Sequence, residues 1–184
     1  EGVDLFAALH RHSALTLTQK LIIGIRCCQV LSELHRQNVI HADIKPNNLR
    51  VVINGNKITL GAIDFGFSII VPDGKQFVID EAKGTRRYVA PEIFAKGKFS
   101  FASDIFALGN MFEANLGFAP FLYEDMISTN PSERPSLNHT MLKLVDTLAK
   151  QSALDEEALA LINELKPKPV VSSLRPLPKI PEKK

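Results

Sequence analysis

Apolar residues recur within 16–37 at Leu17, Leu21, Ile25, Cys28, Leu31 and Leu34, spacings of three and four that place them on one face of a long helix. Thr16 or Thr18 stands where a capping hydroxyl would open it. Two β-branched-rich runs, Arg50–Ile53 and Lys57–Ala62, lie around Asn54-Gly55 and predict a hairpin. Residues 67–102 mix glycine, proline and charge and predict only short helices, and a segment that long without regular structure is usually functional or mobile. The apolar, charge-poor stretch Asp104–Leu116 predicts a buried helix, and 121–128, 137–150 and 154–165 predict shorter amphipathic ones. After Leu165 the pattern is lost, because five of the eleven prolines fall in residues 166–184, interleaved with lysine, and such a segment cannot pack a core. The expectation is a mainly α-helical unit over 1–165 with a small β-hairpin, then a flexible tail over 166–184.

Composition narrows the function classes. The 184 residues are 45% hydrophobic and 23% charged, which suits one globular unit. The formal charge of +2 is unevenly spread: the tail holds six Lys/Arg against one acid, leaving sixteen against nineteen in residues 1–165. A mildly acidic body argues against a nucleic-acid-binding surface. The longest uncharged run, Ala114–Tyr123, is broken by Pro120 and is half the roughly 20 residues a membrane span needs. Glu1-Gly2 opens the chain with neither a signal peptide's basic and apolar regions nor an initiating Met, which suggests a fragment. Cys27 and Cys28, adjacent within the helical pattern, are too close to brace a fold, so a reducing, cytoplasmic compartment is expected.

Four segments carry chemistry: His41-Ala-Asp43-Ile-Lys45-Pro-Asn-Asn48, Asp64-Phe65-Gly66, Gly84-Thr85-Arg-Arg-Tyr88-Val-Ala90-Pro91-Glu92, and Ser103-Asp104-Ile-Phe-Ala-Leu-Gly109. In this order and spacing they resemble the large lobe of a eukaryotic-type protein kinase, and Asn130-Pro131-Ser-Glu-Arg134-Pro135 is similar to the element that closes that lobe. The resemblance covers about Gly2 to Lys150 and implies a protein-kinase-like large lobe of the α+β family over 1–165. Within it lie a catalytic loop at 41–48, a metal loop at 64–66 and an activation segment at 64–92. It implies ATP and Mg²⁺ as cofactors and a protein substrate as partner.

The chemistry agrees with that resemblance. Phosphoryl transfer needs oxygen ligands for hard Mg²⁺ ions, and pairing around Asn54-Gly55 brings Asn48 and Asp64, the metal ligands, side by side at the hairpin's open end. Asp43, five residues before Asn48, is the expected proton acceptor, and Lys45 balances charge on the phosphoryl group. By resemblance Asp4 contacts ribose, so the cofactor-binding set is Asp4, Lys45, Asn48 and Asp64, and Thr85 contacts the acceptor segment. His41 reads as a packed histidine; by resemblance it braces the loop, as Asp104 does from the buried helix, and Glu92 with Arg134 is similar to the family's buried ion pair. Asp43-x-Lys45-Pro46 is similar to the loop of Ser/Thr-directed members.

Departures from the family pattern carry further expectations. Ala42 stands where the family has the arginine that grips an activation-loop phosphate, and residues 69–84 hold no Ser, Thr or Tyr, so activation-loop phosphorylation is not the expected switch. Arg50 replaces an apolar residue beneath the adenine, with either a weaker site or a stacked guanidinium as the result. The interval Gly109–Asn130 has room for the end of one helix and one more short helix, so the family's substrate-docking helix is expected to be missing or reduced. Gly2-Val-Asp4-Leu5-Phe6 reads as the start of the helix after the hinge, which leaves the small lobe, with its glycine-rich loop and lysine, as a missing partner and this chain alone weak or inactive. A divergent lobe of this kind suggests a bacterial effector acting in a host cytosol. A second reading is a pseudokinase or interaction module, in which Arg175-Pro-Leu-Pro178-Lys-Ile-Pro181 engages an adaptor domain as a polyproline II ligand; the plainer alternative for that tail is solvation. A zinc or redox protein built on His10, His12, Cys27 and Cys28 is set aside, because adjacent cysteines on one helix do not face one tetrahedral site.

Overall fold

Helix α2, Leu17–Arg36, forms the axis of the computed structural model, which describes residues 2–11, 15–72, 77–78 and 84–166. Thr16 caps it in a reciprocal box with Gln19: the Gln19 amide donates to Thr16 Oγ1 at 3.2 Å, and the Thr16 amide to Gln19 Oε1 at 3.1 Å. The expected single apolar face is only part of its burial. Leu21, Ile22, Ile23, Gly24, Ile25, Cys27, Cys28 and Leu31 are all buried, since α5 (Leu137–Ala149) covers one side and the hairpin the other. Leu17 lies outside that sandwich and is 49% exposed. Gly24 sets the approach of its neighbours, because a Cβ there would meet the Phe118 ring at 3.1 Å and Leu144 Cδ1 at 3.2 Å. Both cysteines are free thiols, and burial raises their pKa values, that of Cys28 to about 12.

Strand β1 (Val3–Asp4) and α1 (Leu5–Arg11) precede α2, and β2 (Val39–Ile40) follows it. The hairpin strands are β3 (Leu49–Asn54) and β4 (Lys57–Ala62), in an antiparallel sheet of order β1-β3-β4. Its turn sits one residue beyond the expected place. Asn54 pairs with Lys57, so Gly55-Asn56 forms the corner, with Gly55 at φ +60 where glycine is favoured. The irregular region holds three short strands, β5 (Ile69–Ile70) against β2, and β6 (Phe77–Val78) against β7 (Lys98–Phe99), with α3 (Pro91–Lys96) between the last two. A second small core of Ile40, Val71, Val89, Ala90, Ile93 and Phe99 lies under this part.

Helix α4 (Phe101–Met111) is buried as the pattern predicts but begins earlier, on a Ser100–Ser103 cap, and opens into a π-helical turn at Phe112–Leu116 that Gly117 ends at φ +64. The helix expected over 121–128 is absent: Pro120–Leu122 is a 3-10 turn, and the bonds that follow, such as Met126 N to Tyr123 O, close turns. Helix α6, Glu156–Leu165, closes the described chain on an Asp155 cap. No described helix is long and apolar enough to cross a membrane. The tail beyond Lys166 with its Arg175–Pro181 motif, His12, and positions 73–76 and 79–83 of the interval without hydroxyls lie outside the described residues.

Arg134 ties α3 to α4. Its fully buried guanidinium forms two bonds to Glu92, at 2.7 and 2.8 Å, and donates to the carbonyls of Ala102 and Ser128 while lying 4.8 Å over the Phe106 ring. Removing one partner strands the other's charge away from water. Glu92→Ala is expected to lower unfolding free energy by roughly 3–5 kcal/mol in urea titration, and Glu92→Ala with Arg134→Met to lose less than the single variant.

Candidate active site

The chain reverses at β2 and enters a loop held from below by Asp104. That carboxylate, on α4, accepts from the His41 amide at 2.9 Å, the Ala42 amide at 3.0 Å and His35 Nε2 at 2.9 Å. Ala42 takes φ +66 to aim its amide there, an uncommon conformation for a residue with a Cβ. His41 is buried, as expected of a packed residue, with Nε2 3.2 Å from the Ile63 carbonyl oxygen. His35 was not legible as part of this brace, because nothing marks it except its place in the last turn of α2.

Beyond the brace the loop delivers Asp43 into a cluster of donors. Asp43 Oδ2 accepts from Lys45 Nζ at 2.7 Å and Asn48 Nδ2 at 2.9 Å; Oδ1 accepts from the Thr85 amide at 3.1 Å and the Thr85 hydroxyl at 3.0 Å. Lys45 Nζ also donates to Thr85 Oγ1 at 2.8 Å. Burial acts to raise the Asp43 pKa, but the Lys45 ammonium and the Thr85 donors outweigh it, so the carboxyl stays below the usual carboxylate value. The group is thus ionised at neutral pH. It has the charge needed to take a proton from a hydroxyl that replaces the Thr85 hydroxyl at Oδ1.

Asn48 ends a 3-10 turn, Pro46–Asn48, that passes directly into β3. The Leu49–Ala62 pair continues one step further as Ile63 N donates to the Asn48 carbonyl at 2.9 Å, which brings the segments of Asn48 and Asp64 to one end of the hairpin. Asn48 Nδ2 is spent on the Asp43 carbonyl and carboxylate, and no described donor takes Asn48 Oδ1. Asp64 sits at φ +61, exposed, with one contact from the Gly66 amide to Oδ1 at 3.3 Å. Its side chain makes no hydrogen bond to the Asp43 cluster.

Asp4 is not gathered into this cluster. It lies at the sheet edge opposite Arg50, and its Oδ1 caps α1 by accepting from the Ala7 amide at 2.8 Å. Arg50 is exposed and forms no ion pair with a described residue. Among the described residues no group of three or more His, Cys, Asp or Glu side chains is placed to hold a metal ion. An ion here would rely on one carboxylate, one amide oxygen, water and a ligand's own oxygens, a donor set that suits magnesium and not zinc.

The model of the protein kinase domain family matches residues 1–170. The serine/threonine-protein kinase PknH of Mycobacterium tuberculosis is 30% identical over 129 residues, covering 70% of this chain and 20% of its own length. Mouse serine/threonine-protein kinase DCLK3 is 34% identical over 125 residues, covering 66% and 15%. The alpha subunit of the chicken inhibitor of nuclear factor kappa-B kinase is 36% identical over 91 residues, covering 49% and 12%. The chain spans a fifth or less of the length of these relatives.

The Asp43 cluster predicts an acid limb in stability. Because its folded pKa is depressed, its contribution is complete above the ordinary aspartate value of about 3.9 and is lost as pH falls from there through the folded value. In urea unfolding between pH 7 and pH 2.5, Asp43→Asn is expected to flatten this limb; an unchanged limb contradicts the assignment.

Proposed function

The chain belongs to the protein kinase family, and from that premise we propose that it takes part in Mg-ATP-dependent phosphoryl transfer to serine and threonine hydroxyls of protein substrates. The observation that carries the proposal is the Asp43 cluster: an ionised carboxylate, buried among four donors, with an ammonium 2.7 Å away. The acceptor hydroxyl takes the place of the Thr85 hydroxyl at Asp43 Oδ1, and Asp43 orients it and receives its proton. Lys45, already bridging Asp43 and Thr85, stabilises negative charge on the group in transit.

Asn48 Oδ1 and the Asp64 carboxylate fit Mg²⁺, since both are hard oxygens not consumed by the cluster and both lie at one end of the hairpin. Magnesium, when bound there, neutralises charge on the nucleotide phosphates. Asp104 acts on this chemistry only through the backbone it fixes. A groove of about 500 Å³ between α2 and β4, floored by Val30, Leu34, Leu60, Ala62 and Phe65, is the seat we assign to a small lobe that would cover the nucleotide. Retention of Asp43, Lys45, Asn48 and Asp64 together supports an enzyme over a pseudokinase.

The test is the unfolding midpoint of the chain with Mg²⁺, with ATP, and with both. A ligand that binds only the folded form raises it. The expected result is a rise that needs both and is lost in Asp64→Ala, with Asp43→Asn keeping the rise but lowering transfer to serine peptides by about 10²–10⁴ when the chain is joined by a small lobe. An equal rise in Asp64→Ala contradicts the metal assignment.

A further inference from the structure

Thr85 to Tyr88 form a tight turn, closed by the Tyr88 amide donating to the Thr85 carbonyl at 2.8 Å. Both ends are fixed. Thr85 is held on Asp43 and Lys45, and the Tyr88 hydroxyl donates to Asn115 Oδ1 at 2.9 Å while its ring packs on the main core. Gly84, at φ +118, has no room for a side chain, since a Cβ there would lie 2.8 Å from Val89 Cγ2. The two corner residues, Arg86 and Arg87, are exposed, and neither makes an ion pair or hydrogen bond with another described residue.

We propose that Arg86 and Arg87 select acceptor segments carrying aspartate or glutamate beside the serine or threonine, an inference that rests on the reading of Asp43 as proton acceptor. Thr85 Oγ1 lies 3.0 Å from Asp43 Oδ1, so a residue whose hydroxyl takes that place has neighbours within a side chain's reach of the next two positions of the turn. Those two positions present ten guanidinium N–H donors in planar forks that match carboxylates. The patch is local: residues 1–165 hold more acids than Lys/Arg, so selectivity arising here is not the attraction of a generally basic surface.

The experiment measures binding of the chain, without nucleotide, to three fluorescent peptides with a central serine flanked on both sides by aspartate, alanine or lysine. The aspartate peptide is expected to bind about three- to tenfold tighter than the alanine peptide at low salt, the margin shrinking in 0.5 M salt. Arg86→Ala with Arg87→Ala should remove the margin, Arg86→Lys with Arg87→Lys should retain most of it, and Arg86→Glu with Arg87→Glu should turn the preference toward lysine. Equal binding of the three peptides, no binding of any, or a margin that survives in the alanine and glutamate variants overturns the proposal. Selectivity is read without ATP, so it fails or stands separately from the Mg²⁺ and ATP test of the kinase reading.

Discussion

Asp104 is 1% exposed, and both its oxygens are committed to groups distant in sequence: the amides of His41 and Ala42 and the ring of His35. Moving a carboxylate out of water costs several kcal/mol, which three well-directed donors offset. In return α4, the end of α2 and the loop after β2 are locked to one point. His41 and Ile44 bury their side chains beside it, but Ala42 at φ +66 would relax without an acceptor for its amide. Everything that gathers at Asp43 therefore depends on a residue that touches none of it.

From that point order spreads along the backbone. The 3-10 turn at Pro46–Asn48 hands the chain to β3, β4 returns it to the same end, and the Ile63 amide seals the Asn48 carbonyl. The segment after Gly84 then closes over Asp43 through Thr85, while Glu92 and Arg134 anchor the far side of the same segment to α4. Two buried charge clusters thus hold opposite ends of one stretch of chain. At the Asp43 end the ammonium of Lys45 and the hydroxyl of Thr85 supply the positive charge and hydrogen bonds.

Much of this was legible because it rests on short-range signals. A capping threonine at 16 or 18, the period of α2 and α5, and paired runs separated by a glycine turn each fix their element locally, though only the structure selects Thr16 and pairs it with Gln19. The grouping of Asp43, Lys45 and Asn48 also follows from adjacency on one loop. What failed to show depends on distant neighbours. Nothing in the sequence weighs Leu17 against solvent, and periodicity in 121–128 is indistinguishable from a chain of turns once Pro120 has removed an amide. The hairpin turn moved to Gly55-Asn56 because the register across six residue pairs outweighs the preference of one dipeptide. Asp4, whose contact with ribose rests on resemblance alone, caps α1 with its Oδ1, a use common to any aspartate before an apolar helix.

The adjacent cysteines of α2 have a use unconnected with phosphate chemistry. A buried thiol whose pKa is raised to about 12 is almost wholly protonated at neutral pH, and only the thiolate reacts with alkylating reagents or disulfides. Cys27 and Cys28 are therefore silent in the closed molecule and become reactive only when the main core around α2 opens. Their alkylation rate, read at rising temperature or denaturant, is an intrinsic clock for opening of the central sandwich, and the wild-type chain carries it without an added label.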